Sequence, residues 1–382
     1  MHQIRVLHIL PGLGAAGCET FARNLCLSSP EDIRHEIAIS TLPGQFYEPE
    51  LRAAGIAIHR TAEFTGMTSL PRHLRALHQL LKKAKRAGKP FDIVHGHMDY
   101  LNALNLFAAK LAGVKIRVCH SHIAGSQAQK PSFAARAYRW AMRLGIRLFA
   151  TDYFACSPEA AASMFPWRKA GAVRIIPNGI DLARFAAARN DPALPERKRA
   201  ELGISPERRI LITVARLTAQ KNPLFLLDVI AEAAKMRPPP LLLWCGTGDA
   251  ETVRRKIAAL GLEDHVRLLG NRRDVSELLP LAECFLLPSR WEGFGIALIE
   301  AQAAGVPCLA STHVPRSTDM GACRYLPLSV SAWAETVRAG LANGFPGEID
   351  QTRLARYDTR STGNEIADIY RKIFIEKIMN FS

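Results

Sequence analysis

Short apolar runs alternate with amphipathic stretches along the whole chain. Residues 4–10, 36–41, 91–95, 114–119, 152–156 and 173–176 read as strands in the first half. Residues 209–215, 241–245, 266–269, 285–287 and 307–310 read as strands in the second. The runs are nearly continuous in Ile, Leu, Val, Phe and Cys, the pattern of strands covered on both faces. Helical stretches lie between them, at 18–27, 71–89, 133–149 and 296–304 among others. Strand and helix in alternation predict parallel, doubly wound α/β sheets. Pro177, Asn178, Gly179, Ile180 and Asp181 are turn residues, and 186–208 is rich in Ala, Pro, Arg and Glu, as a linker and surface helix would be. The expected division is therefore 1–181, 182–363, and a closing helix within 364–382.

The most informative stretch is 285–311, FLLPSRWEGFGIALIEAQAAGVPCLAS. It reads as strand, loop, helix and strand. Gly293 and Gly295 bracket Phe294, so the loop can turn tightly and bring its backbone against a ligand. Ile296 opens the helix, whose N-terminus favours anionic oxygens. Glu292 stands at the strand's carboxyl end, where open α/β sheets bind ligands. Glu300 lies among apolar residues, a costly place for a carboxylate unless something binds it. A structural salt bridge is the plain alternative for a single such Glu.

Other loops carry chemistry too. Gly12, Gly14 and Gly17 form G-x-G-x-x-G between the first strand and helix, the outline of a dinucleotide fingerprint. That fingerprint needs an acid at the end of the second strand, and Ser40, Thr41 and Leu42 stand there instead. Arg216 and Lys221 are two cations in one loop after a strand. His95-x-His97 and His120-Ser121-His122 each place two imidazoles on one face of a strand, which a metal could use if further ligands joined them.

Composition narrows the class. The 382 residues are 48% hydrophobic and 22% charged, globular values with room for two domains. The eight cysteines show no C-x-x-C spacing and read as reduced thiols of a cytosolic protein. No secretory leader pattern and no apolar run of membrane-spanning length is present. The net charge is +15, and most of the excess lies in 1–181, with 23 Lys+Arg against 12 Asp+Glu. Anionic lipid, anionic substrate and nucleic acid are all compatible with that charge. Residues 133–149 sharpen the lipid reading: Arg136, Arg139, Arg143 and Arg147 form a helical stripe near Phe133, Tyr138, Trp140 and Leu144, as interfacial membrane helices do.

The run PSRWEGFGIALIEAQAAGVP resembles the E-x7-E signature of the retaining nucleotide-sugar glycosyltransferases of family four, and more narrowly their bacterial capsule and exopolysaccharide branch. The resemblance extends from about Val6 to Tyr370. It implies the GT-B fold, two Rossmann-like domains with the active site in the cleft between them and a C-terminal helix crossing back to the first. It implies transfer of a sugar from a UDP- or GDP-sugar to a hydroxyl acceptor, with retention and without metal or other cofactor; no D-x-D motif occurs in the chain. The acceptor expected is a polyprenyl-diphosphate-linked or other glycan at an anionic membrane surface, which places the protein in the cytoplasm on the inner face of the plasma membrane.

Residue by residue, the resemblance makes Glu292 a contact of the donor-sugar hydroxyls and Glu300 a contact of the ribose. Arg216 and Lys221 hold the diphosphate. The Gly293-Phe294-Gly295 backbone and Ile296 border sugar and phosphate, and Gly246, Gly248 and Arg272 border the nucleotide. Gly14 and Gly17 lie beside the donor, with Ala16 replacing the first Gly of the family's Gly-Gly-x-Glu. His120, or else His122, contacts the donor sugar. Glu292, His120, Arg216 and Lys221 are the expected catalytic set. A nucleotide-sugar 2-epimerase on the same fold is the alternative enzyme. A basic nucleic-acid-binding protein is the alternative of another class, but it lacks any zinc-finger, RRM-like or helix-turn-helix signature.

Overall fold

The computed structural model describes residues 3–63, 65–66, 68–122, 132–169 and 171–379. The chain forms two compact units, Met1–Gly179 with Thr359–Ser382, and Ile180–Asp358.

The first unit is built on a seven-stranded sheet. Its strands are β1 (Ile4–Leu10), β2 (Ile33–Ile39), β3 (Ala57–Arg60), β4 (Ile93–Gly96), β5 (Ile116–Ser121), β6 (Asp152–Ala155) and β7 (Arg174–Ile175). They pair in the order β3-β2-β1-β4-β5-β6-β7, all parallel. The order reverses direction between β1 and β4, so the loops leaving those two strands flank the unit's topological switch point. The helix Thr359–Met379 buries Ile366, Ala367, Tyr370 and Ile373 against Phe21, Ile4, Val6 and Ile116. It thereby supplies part of this unit's core. It starts five residues before the expected 364. Gly363 lies inside the helix, and a Cβ there would stand 2.7 Å from Ser28 Oγ, so close packing explains the glycine.

The second unit holds β8 (Ile210–Val214), β9 (Leu241–Cys245), β10 (Val266–Gly270), β11 (Cys284–Leu287), β12 (Cys308–Ser311) and β13 (Cys323–Leu326), in the order β10-β9-β8-β11-β12-β13. Its switch point lies between β8 and β11. Residues of β9 and β11 are buried throughout, as the apolar runs require, and Trp244 and Trp333 fill the core with Leu226, Leu227 and Ile230. The stretch 186–208, expected as a linker and a surface helix, runs through two helices of this unit, Leu182–Arg189 and Leu194–Glu201. The second is held by charge: Lys198 lies 2.7 Å from Asp274 and 2.9 Å from both Glu201 and Glu277. All eight cysteines are free thiols. No helix among the described residues is long and apolar enough to cross a membrane.

Candidate active site

In the second unit three loops converge at the carboxyl ends of β8, β9 and β11. The pairing of β8 with β9 runs on past both strands. Ala215 N–H donates to Cys245 O at 2.9 Å, Leu217 N–H to Thr247 O at 2.9 Å, and Asp249 N–H to Leu217 O at 3.0 Å. This close approach needs glycine: Gly246 and Gly248 have φ of 142° and 147°, and a Cβ would fall 2.2 Å from Ala215 O and 2.5 Å from Leu217 O. The extended pairing fixes the backbone on which Arg216 and Lys221 sit.

The loop after β11 is tied to the same place. Arg290 N–H donates to Gln220 O at 2.8 Å, Gln220 Nε2 to Trp291 O at 3.0 Å, and Arg290 Nε to Asn222 Oδ1 at 3.1 Å. Asn222 adopts the left-handed conformation, φ 57°, just before the helix Pro223–Ala233, with Pro223 in its first turn. Across this junction Lys221 Nζ and Glu292 Oε1 form an ion pair, and Ser289 Oγ donates to the same carboxylate oxygen at 2.6 Å. Glu292 is 6% exposed, so its charge depends on these partners. Lys221 follows β8 and Glu292 follows β11, so the pair straddles the switch point.

Gly295, φ 92°, provides the left-handed turn into the helix Ile296–Ala303, and Phe294 is buried, its ring 5.8 Å from that of Tyr357. Glu300 is half-buried, one turn into that helix, so it does not bear the full burial cost its apolar neighbours imply. Arg216 is exposed. Arg272 is engaged by Asp274 Oδ2 at 2.6 Å and Glu201 Oε1 at 3.1 Å, within the network that also holds Lys198. Its guanidinium braces the helix Leu194–Glu201 against the loop after β10.

In the first unit, Gly14 and Gly17 have open space where a Cβ would stand. β2 ends at Ile39 without an acid following, so a dinucleotide reading gains nothing. The two H-x-H pairs do come together, and they bring others. His35 of β2, His8 of β1, His95 and His97 around the end of β4, and His120 and His122 around the end of β5 lie on four adjacent strands. His35 Nδ1 is 2.8 Å from His8 Nε2, His8 Nδ1 is 3.0 Å from His97 Nε2, and His97 Nδ1 is 2.9 Å from His122 Nε2. His95 bonds Tyr370 Oη through Nδ1 and His120 Nδ1 through Nε2, at 2.5 and 3.1 Å. Burial pushes all six imidazoles below their usual pKa, to about 3 for His35 and His122, so each is neutral. Among the described residues, ligand atoms of His8, Cys26 and His35, of His8, His95 and His97, and of His97, His120 and His122 gather within 4.8 Å of one another. Sequence reading found His95, His97, His120 and His122 but missed His8 and His35, whose i, i+2 partners are apolar.

The four-arginine stripe on the helix Phe133–Phe149 is not uniform. Arg136 and Arg147 are exposed with Phe133, Trp140, Leu144 and Leu148, whereas Arg143 turns inward, donating to Ser163 O at 2.6 Å and lying over the Tyr100 ring. The carbonyl it caps drew it off the stripe. Phe133 and Trp140 are 86% and 68% exposed.

Sequence profiles of two families match the chain: Glycosyltransferase Family 4 over residues 15–184 and Glycosyl transferases group 1 over 195–320. EpsF of Bacillus subtilis (strain 168) is 30% identical over 96% of this chain and 96% of its own length. The Escherichia coli UDP-Gal:alpha-D-GlcNAc-diphosphoundecaprenol alpha-1,3-galactosyltransferase is 33% identical over 62% of this chain and 61% of its own. Among solved structures, Anabaena HepE in complex with UDP and glucose superposes with a TM-score of 0.79 at 16% identity, covering 97% of this chain and 100% of that one. The likeness gives the two-Rossmann GT-B fold.

Proposed function

The chain belongs to the nucleotide-sugar glycosyltransferases of family four, and from that premise we propose that it moves a hexose from a UDP- or GDP-sugar to a hydroxyl of a lipid-linked glycan in exopolysaccharide or capsule assembly, with retention and without metal. The observation that carries the reading is the Lys221–Glu292 pair astride the switch point of the second sheet. Nucleotide ligands of open α/β sheets bind at such a point. A cation and an anion held side by side suit a ligand with a diphosphate at one end and sugar hydroxyls at the other.

In this reading Lys221 and Arg216 take the diphosphate, whose charge grows as the glycosidic bond breaks. Fixed cations stabilise that growth more than they stabilise the ground state. Glu292 accepts from the donor-sugar hydroxyls, the turn at Gly293, Phe294 and Gly295 lays backbone against sugar and phosphate, and Glu300 takes the ribose. Gly246 and Gly248 border the nucleotide, and the open space over Gly14 and Gly17 admits the donor. His120 contributes a hydrogen bond to the donor sugar. The acceptor attacks the face the leaving group departs from, and the leaving phosphate takes the acceptor's proton.

The lipid-linked acceptor is supported by the E. coli relative, whose name specifies a diphosphoundecaprenol substrate. It is also supported by the exposed Phe133, Trp140, Leu144, Arg136 and Arg147 face, whose cations would each gain about 1 kcal/mol near an anionic leaflet. This makes the protein peripheral on the inner membrane surface. The test is incubation with labelled UDP- and GDP-hexoses and undecaprenyl-diphosphate-linked N-acetylglucosamine. An α-linked lipid glycoside is expected. An epimerised nucleotide sugar with no glycoside would refute transfer.

A further inference from the structure

The six imidazoles of the first unit obey a proton count. A neutral imidazole has one N–H and one lone pair, so a string of them can donate in only one direction at a time. The string Tyr370–His95–His120 has a fixed direction. A phenol is a better donor than an imidazole N–H, and an imidazole nitrogen is a better acceptor than a phenol oxygen. Tyr370 therefore donates to His95 Nδ1, 2.5 Å away. His95 then carries its proton on Nε2 and donates to His120 Nδ1 at 3.1 Å. That leaves the His120 proton on Nε2, an atom that is buried and meets no hydrogen-bond partner among the described residues. A buried N–H without a partner costs about 1–3 kcal/mol, and a ligand oxygen would recover it.

The second string, His35–His8–His97–His122, has no such anchor. His35 Nε2 and His122 Nδ1, its two ends, are both enclosed and meet no partner among the described residues. Either end can carry the leftover proton, so the tautomer of His122 is not set. The structure thus distinguishes two histidines that the H-x-H motif leaves equivalent.

We propose that Tyr370, on the helix Thr359–Met379, is a positioning residue that acts through His95 to lock His120 as an Nε2–H donor toward an oxygen of the bound donor sugar. The proposal rests on the reading of His120 as a donor-sugar contact. His95 and Tyr370 do not touch substrate themselves; their effect is to fix where one proton sits.

The experiment is nitrogen–proton correlation NMR of the full chain labelled at its histidine ring nitrogens, without substrate, beside steady-state transfer assays. Wild type is expected to show His120, assigned by its loss in His120→Gln, as the Nε2–H tautomer. In Tyr370→Phe, which removes only a hydroxyl, His120 should show both tautomers. Its kcat should fall about two- to tenfold, by the inverse of the fraction of His120 that keeps its proton on Nε2, with KM for the donor within about twofold, as expected for an interaction made mainly in the transition state. His95→Gln, whose side-chain amide can donate in place of Nε2–H, should keep the His120 tautomer. An Nδ1–H tautomer in wild type, or an unchanged one in Tyr370→Phe, overturns the relay. So does zinc copurifying in stoichiometric amount with metal-shifted ring nitrogens, since the cluster would then be a metal site. A shifted tautomer with unchanged kcat overturns the placement of His120 at the donor instead.

Discussion

Mild acid should destabilise the first unit more than the second. His8, His35, His95, His97 and His120 are buried and His122 half-buried, and all six are held neutral, with pKa values pushed below the usual 6.5. In the unfolded chain each titrates near its ordinary value. Below about pH 6.5 the unfolded state therefore binds more protons, and stability present above that pH is lost as pH falls toward the depressed native values. Between pH 7 and 5.5, His35 and His122, at about 3, each contribute a loss of about 1.2 kcal/mol, and the other four, pushed down in the same direction, add to it. Set against a domain stability of about 5–15 kcal/mol, that is a substantial share. Of the carboxyls of this unit, Glu36 and Glu48 at about 2 add nothing in this window because they and their unfolded counterparts stay ionised, whereas burial raises Asp99 to about 7, so its native-state protonation offsets about one imidazole. The second unit carries only His265 and His313, neither buried. Urea melts followed by hydrogen exchange, at pH 7 and 5.5, separate the two units. A first-unit loss under about 2 kcal/mol would mean that the cluster already holds shared protons in the native state, and the argument from neutral imidazoles would fail.

Glu292→Gln should lower kcat/KM by about 10- to 100-fold, the range for losing a hydrogen bond to a charged group, while circular dichroism stays native; full activity would remove Glu292 from the site. Gly248→Ala places a methyl 2.5 Å from Leu217 O at a backbone angle that alanine avoids, and should cost the second unit more than about 2 kcal/mol in a denaturant melt. Phe133→Ser with Trp140→Ser should weaken sedimentation with anionic vesicles at least tenfold without lowering transfer to a water-soluble acceptor analogue. Unchanged sedimentation would reassign that face.

Much of the second unit was legible because its strands are buried on both faces and so appear as unbroken apolar runs. The edge strands β3 and β13 escaped notice: Ala57–Arg60 and Cys323–Leu326 are half-exposed and mix polar with apolar residues. The helix Leu194–Glu201 was expected only in outline, as a surface helix somewhere within 186–208. Charge fixes it in place, with Lys198 among three acids, and hydrophobic periodicity carries no trace of that. The histidine cluster shows the limit most clearly. Alternation along a strand says that His95 and His97 share a face. That His8 lies directly across from His95 follows only from β1 pairing with β4, a fact of sheet order that no local pattern contains. Arg143 was misread because a single tertiary neighbour, Ser163, decides its role.

The ion pair at the second switch point bears on how such a site waits for its ligand. A lone buried carboxylate at Glu292 would be costly, and a lone ammonium at Lys221 nearly so. Paired, and with Ser289 as a third member, they hold each other's geometry without a ligand. A donor's diphosphate offers Lys221 a more highly charged partner, and the sugar's hydroxyls offer Glu292 donors in place of the ammonium. Binding would then exchange one set of charge-assisted contacts for another instead of creating charge in a dry place, so the groups need not be reorganised when the leaving phosphate gains charge. The same logic covers the first unit, where Tyr370 and His95 spend their hydrogen bonds on each other and on His120, and leave one proton facing outward from the string. In both units, then, the groups proposed to meet the ligand are held in place by protein partners before it arrives.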